Sequence, residues 1–195
     1  MAEVPGPDVR ESIEVDGVVL VDPVVHADNR GLFVETWRRE WIPGGREMVQ
    51  ANRAERAAGC LVGLHYHRFQ ADYWMVPAGR IRVVLHDLRT GSPTDGATWC
   101  FNLGGDGPER HRAVYIPAGV AHGFAALTDA TVAYLVDGTY DAADELGVAW
   151  DDPEVAADWG LAGAMPVLSA RDASNPRRAS LSADLVPEYR PSTEA

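Results

Sequence analysis

Short apolar runs, each closed by a turn rich in glycine, proline or asparagine, recur along this chain and leave room for little besides strands. They fall at Val18–Val25, Leu32–Trp37, Cys60–His67, Tyr73–Val76, Ile81–Asp87, Thr98–Leu103, Ala113–Ile116, Gly123–Leu127 and Thr131–Val136. Asp28-Asn29-Arg30-Gly31, Pro77-Ala78-Gly79, Thr90-Gly91-Ser92-Pro93 and Pro117-Ala118-Gly119 supply the turns. Strands this short and this regularly punctuated predict an all-β sandwich or barrel. Helical signals are few. Arg39–Trp41 reads as the start of a turn, and Asp152–Trp159 opens with Asp-Pro at cap positions and is expected to make two helical turns. The polar, proline-containing stretch from Ala173 onward is expected to flank the barrel or pack on it. No repeat or low-complexity linker divides the chain, so residues 1–195 read as one domain with a core over about 16–172 and a tail over 173–195.

Charge narrows the chemistry. The 195 residues carry a formal net charge of −12, and all 17 basic residues are arginine. Without lysine there is no Schiff base, no pyridoxal phosphate attachment and no P-loop lysine. A chain this acidic is expected to bind no nucleic acid, since phosphate contacts need clustered cations. Any anionic ligand must rely on arginine, histidine, backbone N–H groups or a metal. Cys60 and Cys100 are too few for a disulfide framework and read as buried thiols. The N-terminal residues MAEVPGPDVR lack the pattern of a signal peptide, and no run approaches a membrane span. The expected location is cytoplasmic.

Three of the six histidines fall in a pattern: Gly59-x5-His65-x-His67-x4-Asp72-x6-Gly79, then Pro117-x-Gly119-x2-His122. Residues i and i+2 of a strand share a face, so His65 and His67 point the same way. This spacing resembles the two motifs of the cupin superfamily, whose jelly-roll barrel carries its site in the mouth. In metal-binding cupins the matching residues, here His65, His67, Asp72 and His122, hold a divalent metal; Asp72 stands where a glutamate is usual.

A narrower resemblance spans about residues 16–175. It rests on Asp28-x-Arg30-Gly31-x-Phe33-x-Glu35, Gln50-x-Asn52, Gly63-Leu64-His65-Tyr66, Gln70, Asp87-x-Arg89-x-x-Ser92-Pro93-Thr94 and Ile116-Pro117-x-Gly119-x-Ala121-His122-Gly123-Phe124. Tyr134, Gly147-x-x-Trp150-Asp151-Asp152-Pro153 and Leu168-Ser169-x-x-Asp172 complete it. In this order the segments resemble the dTDP-4-dehydrorhamnose 3,5-epimerase family, a branch of the cupins. The resemblance implies a homodimer of jelly-roll barrels acting on a dTDP-linked 4-keto-6-deoxy sugar, with no cofactor required.

It also implies roles. A C4 ketone acidifies the C–H bonds at C3 and C5, so epimerisation needs a base on one face of the ring and a proton donor on the other. The family's base maps onto His65, its orienting carboxylate onto Asp172 and its proton-donating tyrosine onto Tyr134. Arg30, Glu35, Gln50, Asn52, His122 and Tyr140 match substrate-binding positions.

Three departures stand out. Val62 replaces an arginine before Gly-Leu-His, His67 replaces a glutamine, and Asp72 replaces a lysine. Two cations are lost and a carboxylate is gained, yet the changes complete the metal-binding set of His65, His67, Asp72 and His122. That leaves alternatives open: an epimerase with His65 as free base, a metal-dependent cupin of other chemistry (oxygenase, isomerase or lyase), or a sugar-nucleotide-binding protein whose catalysis has decayed.

Overall fold

The computed structural model describes residues 6–191; residues 1–5 of the N-terminal stretch and 192–195 of the tail lie outside the described residues. Its strands are β1 (Asp8–Glu11), β2 (Val19–Asp22), β3 (Val25–Asp28), β4 (Gly31–Val34), β5 (Gln50–Arg56), β6 (Leu61–Tyr66) and β7 (Asp72–Ala78). They continue as β8 (Arg80–Asp87), β9 (Thr98–Gly104), β10 (Ala113–Ile116), β11 (Val120–Ala126), β12 (Ala130–Val136) and β13 (Leu146–Gly147). A six-stranded sheet runs β1-β2-β10-β7-β12-β5 and a five-stranded sheet runs β13-β6-β11-β8-β9, with every pairing antiparallel. This is the expected all-β jelly roll.

The main core lies between the sheets. Leu20, Trp74, Val76, Val114, Ile116 and Val132 face it from the larger sheet, and Ile81, Val83, Leu85, Leu103 and Phe124 from the smaller. Burying each such side chain contributes roughly 1.5–3 kcal/mol. Val84, between Val83 and Leu85, packs instead on the outer face with Leu64, Ala125, Val155 and Trp159. Both faces of β8 are thus covered there, which is why Val83-Val84-Leu85 reads as a continuous apolar stretch rather than an alternating one.

Several expectations change. The Val18–Val25 run divides at Pro23 into β2 and β3. The strand β5 (QANRAER) has no apolar run and pairs along β12 at the sheet edge. Asp152–Trp159 forms turns, not a helix. Its Asp152 carboxylate accepts N–H bonds from Glu154 and Arg178, and Ala156 sits at φ 50°, outside the helical region. Cys60 and Cys100 are half-buried free thiols rather than fully buried ones. Arg39–Trp41 is a single 3-10 turn, and in the tail the Tyr189 hydroxyl donates to Asp16 at 2.8 Å.

The hairpin β3–β4 forms a two-stranded sheet that joins neither larger sheet. It exposes Phe33 (68%), Leu32 (49%) and Val25 (43%).

Candidate active site

A cavity of about 320 Å³ opens between the sheets at one end of the barrel. The period of two in the strands builds its walls. From the larger sheet come Gln50, Asn52, Ala54 and Arg56 on β5, Asp72 and Trp74 on β7, and Val132, Tyr134 and Val136 on β12. Tyr134 lies directly between Asn52 and Trp74 in register. From the smaller sheet come Val62 and His65 on β6 and His122 and Phe124 on β11, with His122 opposite His65.

The β6–β11 pairing slips between His122 and Phe124, where the two backbones come very close. A Cβ on Gly63 would lie 2.8 Å from the His122 carbonyl oxygen, and one on Gly123 would lie 2.6 Å from the Val62 oxygen. Only glycine allows this approach.

Behind His65, the carboxylate of buried Asp172 accepts a hydrogen bond from Nε2 at 2.6 Å. Ser169 fixes that carboxylate, its hydroxyl donating to Oδ2 at 2.8 Å while accepting from the Asp172 N–H. Burial pushes the Asp172 acid upward, but the bonds from His65 and Ser169 outweigh it and hold the group below the usual carboxylate range. The carboxylate therefore stays charged and keeps the proton on Nε2, leaving Nδ1 of His65 as the basic nitrogen. Tyr134 faces it from the opposite sheet. Burial raises its phenol above the ordinary value, so it carries its proton near neutral pH.

Deeper in the cavity His67 and His122 are each held by one nitrogen. Nδ1 of His67 donates to the Asp144 carbonyl at 3.0 Å, and Nδ1 of His122 donates to the Val120 carbonyl at 2.9 Å. Burial pushes His122 down to about 4. Asp72 sits beside them, accepting from Gln70 at 3.1 Å and from the Trp74 indole at 3.0 Å. One ligand atom each from His67, Asp72 and His122 fall within 4.8 Å of one another. His65 is not among them, because Asp172 holds its Nε2; the four-residue metal set read from the sequence is therefore corrected to three.

Of the other expected binding residues, Gln50, Asn52, His122 and Tyr140 line the cavity, and Gln50 donates to Asn52 at 2.9 Å. Arg30 and Glu35 do not. Arg30, with 85% of its side chain exposed, pairs with Asp28 at the tip of the β3–β4 hairpin, and Glu35 pairs with Arg38. Sequence reasoning missed Arg56 and Arg171, the two cations on the cavity wall. Arg56 continues the alternation Gln50, Asn52, Ala54, and Arg171 adjoins Asp172, so both carried a usable signal.

Residues 12–180 match the family model described as dTDP-4-dehydrorhamnose 3,5-epimerase. The chain is 38% identical over 174 residues to the dTDP-4-dehydrorhamnose 3,5-epimerase of Mycobacterium tuberculosis, with 84% of each chain covered. It is 39% identical over 166 residues to the dTDP-4-dehydrorhamnose 3-epimerase of Streptomyces niveus, covering 81% of this chain and 78% of that one. The crystal structure of the Legionella pneumophila epimerase RmlC in complex with dTDP-4-keto-L-rhamnose superposes with a TM-score of 0.86 at 31% identity, covering 95% of this chain and all of that one. Fold, cavity and sequence agree, and the chain belongs to the dTDP-4-dehydrorhamnose 3,5-epimerase family within the cupins.

Proposed function

We propose that the protein epimerises a dTDP-linked 4-keto-6-deoxyhexose at C3, C5 or both, in the supply of deoxysugars for glycans or glycosylated natural products. The observation that carries this reading is that His65, on one sheet and backed by Asp172 from the 3-10 turn behind it, lines the same cavity as Tyr134 on the other sheet. Nδ1 of His65 takes the proton from the carbon next to the C4 ketone, and the electron pair delocalises onto the ketone oxygen. Asp172 stabilises the resulting imidazolium. Tyr134 delivers its phenolic proton to the opposite face of that carbon, and solvent restores both groups. No electrons change hands between molecules, so the chemistry calls for no redox cofactor. A protein that only bound the sugar nucleotide would have no use for an acid and a base on opposite walls.

Arg56 and Arg171 are the cavity cations suited to the diphosphate. Gln50, Asn52 and Tyr140 are placed to meet sugar and nucleoside hydroxyls. The apolar hairpin β3–β4, unpaired with either large sheet, is suited to dock on a second copy of the chain. In such a homodimer Arg30, at the hairpin tip, serves the partner's cavity rather than its own. Among the described residues no helix is long and apolar enough to cross a membrane. Nucleotide sugars are made inside cells, and the cytoplasm is the proposed site of action.

Incubating the protein with dTDP-4-keto-6-deoxyglucose in D2O and following C3 and C5 by NMR tests the reaction. Deuterium entering at one or both carbons with inversion is the expected result; exchange at neither overturns it.

A further inference from the structure

Resting on the epimerase reading, we propose that the sugar this protein accepts is an amino sugar, whose protonated primary amine seats among His67, His122 and Asp72. The hydrogen-bonding polarity of those three groups carries the inference. Both imidazoles are 6% exposed, line the cavity, and donate Nδ1–H to a backbone carbonyl. A carbonyl only accepts, so these bonds fix the tautomers, and each neutral ring keeps a bare lone pair on Nε2. Nε2 of His122 lies 3.9 Å from Oδ2 of Asp72, and Nε2 of His67 lies 3.7 Å from Glu145. Neither distance makes a hydrogen bond. Among the described residues both nitrogens are thus unpartnered, in side chains more than nine-tenths buried.

Asp72 adds the charge. It is 3% exposed, and among the described residues no arginine pairs with it. Its hydrogen bonds come from the neutral groups of Gln70 and Trp74, which orient the carboxylate without cancelling its charge. Glu145, the other carboxylate on this wall, is already matched by Arg171 at 2.6 Å. A buried carboxylate left without a cation is costly. The three groups therefore offer acceptors only, one of them anionic. A sugar hydroxyl has one proton to give them and a keto oxygen has none, whereas an ammonium has three N–H donors and the missing charge.

The spacing agrees. Hydrogen bonds of about 2.9 Å directed tetrahedrally from one nitrogen end on acceptors about 4.7 Å apart. One such atom from each of His67, Asp72 and His122 lies within 4.8 Å of the others. The closer pair, His122 and Asp72 at 3.9 Å, is spanned by a slight bend of two N–H bonds, within the angles hydrogen bonds favour.

Seated there, the amine also serves the reaction. Asp72 stands where the resemblance expects a lysine, so the ammonium group moves from the protein to the sugar. On C3, beside the C4 ketone, its charge stands close to the oxygen that becomes negative. His65 takes the C–H proton from C5, the C–H electrons become the C=C bond, and the carbonyl π electrons settle on that oxygen. Tyr134 then gives a proton to the opposite face of C5 and the ketone re-forms. Nothing is oxidised or reduced.

The test is binding of two sugars that differ in that one group, neither with a ketone to turn over. The protein, in EDTA, is titrated calorimetrically with dTDP-3-amino-3,6-dideoxyglucose and with dTDP-6-deoxyglucose. The amino sugar should bind about tenfold tighter or more, and its N-acetyl derivative, which has lost the charge, no tighter than the hydroxyl sugar. Asp72→Asn, close in shape to the native residue, should bring the ratio of the two affinities near one, and Asp72→Lys should invert it. Equal affinity of wild type for the two sugars, tighter binding of the hydroxyl sugar, binding of neither, an N-acetyl derivative as tight as the amine, or an unchanged ratio in Asp72→Asn overturns the proposal. The wild-type ratio decides the matter even if a variant fails to fold. A preference of this size still lets dTDP-4-keto-6-deoxyglucose bind at higher concentration. Deuterium exchange on that sugar therefore tests the epimerase reading separately, and neither result determines the other.

Discussion

His65 and Asp172 stand 107 residues apart in the chain and meet at 2.6 Å, Nε2 to Oδ1. The contact joins strand β6 to the 3-10 turn at Asp172–Ser174. It selects the tautomer with the proton on Nε2, which leaves Nδ1 as the nitrogen that the proposed reaction uses as its base.

Replacing Asp172 with asparagine keeps the shape but offers an N–H where the carboxylate accepted one. The imidazole then favours the opposite tautomer, and the imidazolium loses its counter-charge. Asp172→Asn should lower kcat by roughly 10²–10⁴-fold with little change in KM. Rates of deuterium uptake at saturating substrate check this; a kcat within about threefold of wild type would remove Asp172 from the orienting role.

Tyr134→Phe separates the two halves of the reaction. His65 still removes and returns the proton on its own face, but no donor remains on the other. Deuterium wash-in with retained configuration should continue while inversion falls by about 10²-fold or more. Equal loss of exchange and inversion would mean that the phenol acts elsewhere. Comparing NMR exchange with product stereochemistry distinguishes the two.

Arg30 and Phe33 make the dimer testable. Phe33→Asp places a charge on the exposed hairpin face and should shift the sedimenting species from dimer to monomer. Arg30→Ala and His65→Ala chains, each weak alone, should complement when mixed and refolded together. The mixed dimer regains one intact cavity of two, giving about a quarter of wild-type activity in an equal mixture. If Arg30 served its own chain, every cavity would carry a defect and no recovery would follow.

Much of this architecture was legible along the chain, for an identifiable reason. The runs that became β6 through β12 are apolar on at least one buried face, so hydrophobicity reports them directly. The Pro77-Ala78-Gly79 turn was equally plain. At Gly79, with φ 77°, a Cβ would strike the Asp129 carbonyl at 2.1 Å. Strand β5 was invisible because its alternate residues face a polar cavity and solvent, leaving no apolar period to detect. Arg56 was lost with it. The His65–Asp172 contact has no local signature at all, and only the family resemblance could pair residues so distant. The metal set went astray for the same reason: spacing placed His65 beside His67, but could not show that Asp172 had already claimed its Nε2.

Gly63 gives a prediction about the cavity's frame. Its φ of 111° is one that side-chain-bearing residues rarely adopt, and an added methyl would press on the Gly123 Cα and the His122 oxygen at 2.8 Å. Gly63→Ala should cost about 1–3 kcal/mol of stability. By pushing β6 from β11 it should also displace His65 and lower kcat more than it raises KM. Thermal unfolding and steady-state kinetics check both; an unchanged melting temperature would show that the strands part without penalty.

His86 predicts an acid-sensitive barrel. It is wholly buried on β8, and its Nδ1 lies 2.8 Å from the Thr98 hydroxyl. That hydroxyl spends its own proton on the Val155 carbonyl at 2.6 Å, so it must accept from Nδ1–H. Nε2 is left as a bare nitrogen with no partner in the core. Burial, aided by Arg178, lowers the ring from an ordinary 6.5 to about 4. Between those values the unfolded chain binds a proton that the folded chain refuses. Stability is therefore full above about pH 6.5 and falls as the pH drops toward 4, by about 3 kcal/mol from this group. His86→Leu removes the titrating ring and leaves Thr98 bonded to Val155. Urea unfolding at pH 7 and pH 4.5 should show a smaller loss of stability in His86→Leu than in wild type. An identical loss in both would assign the acid sensitivity to other groups.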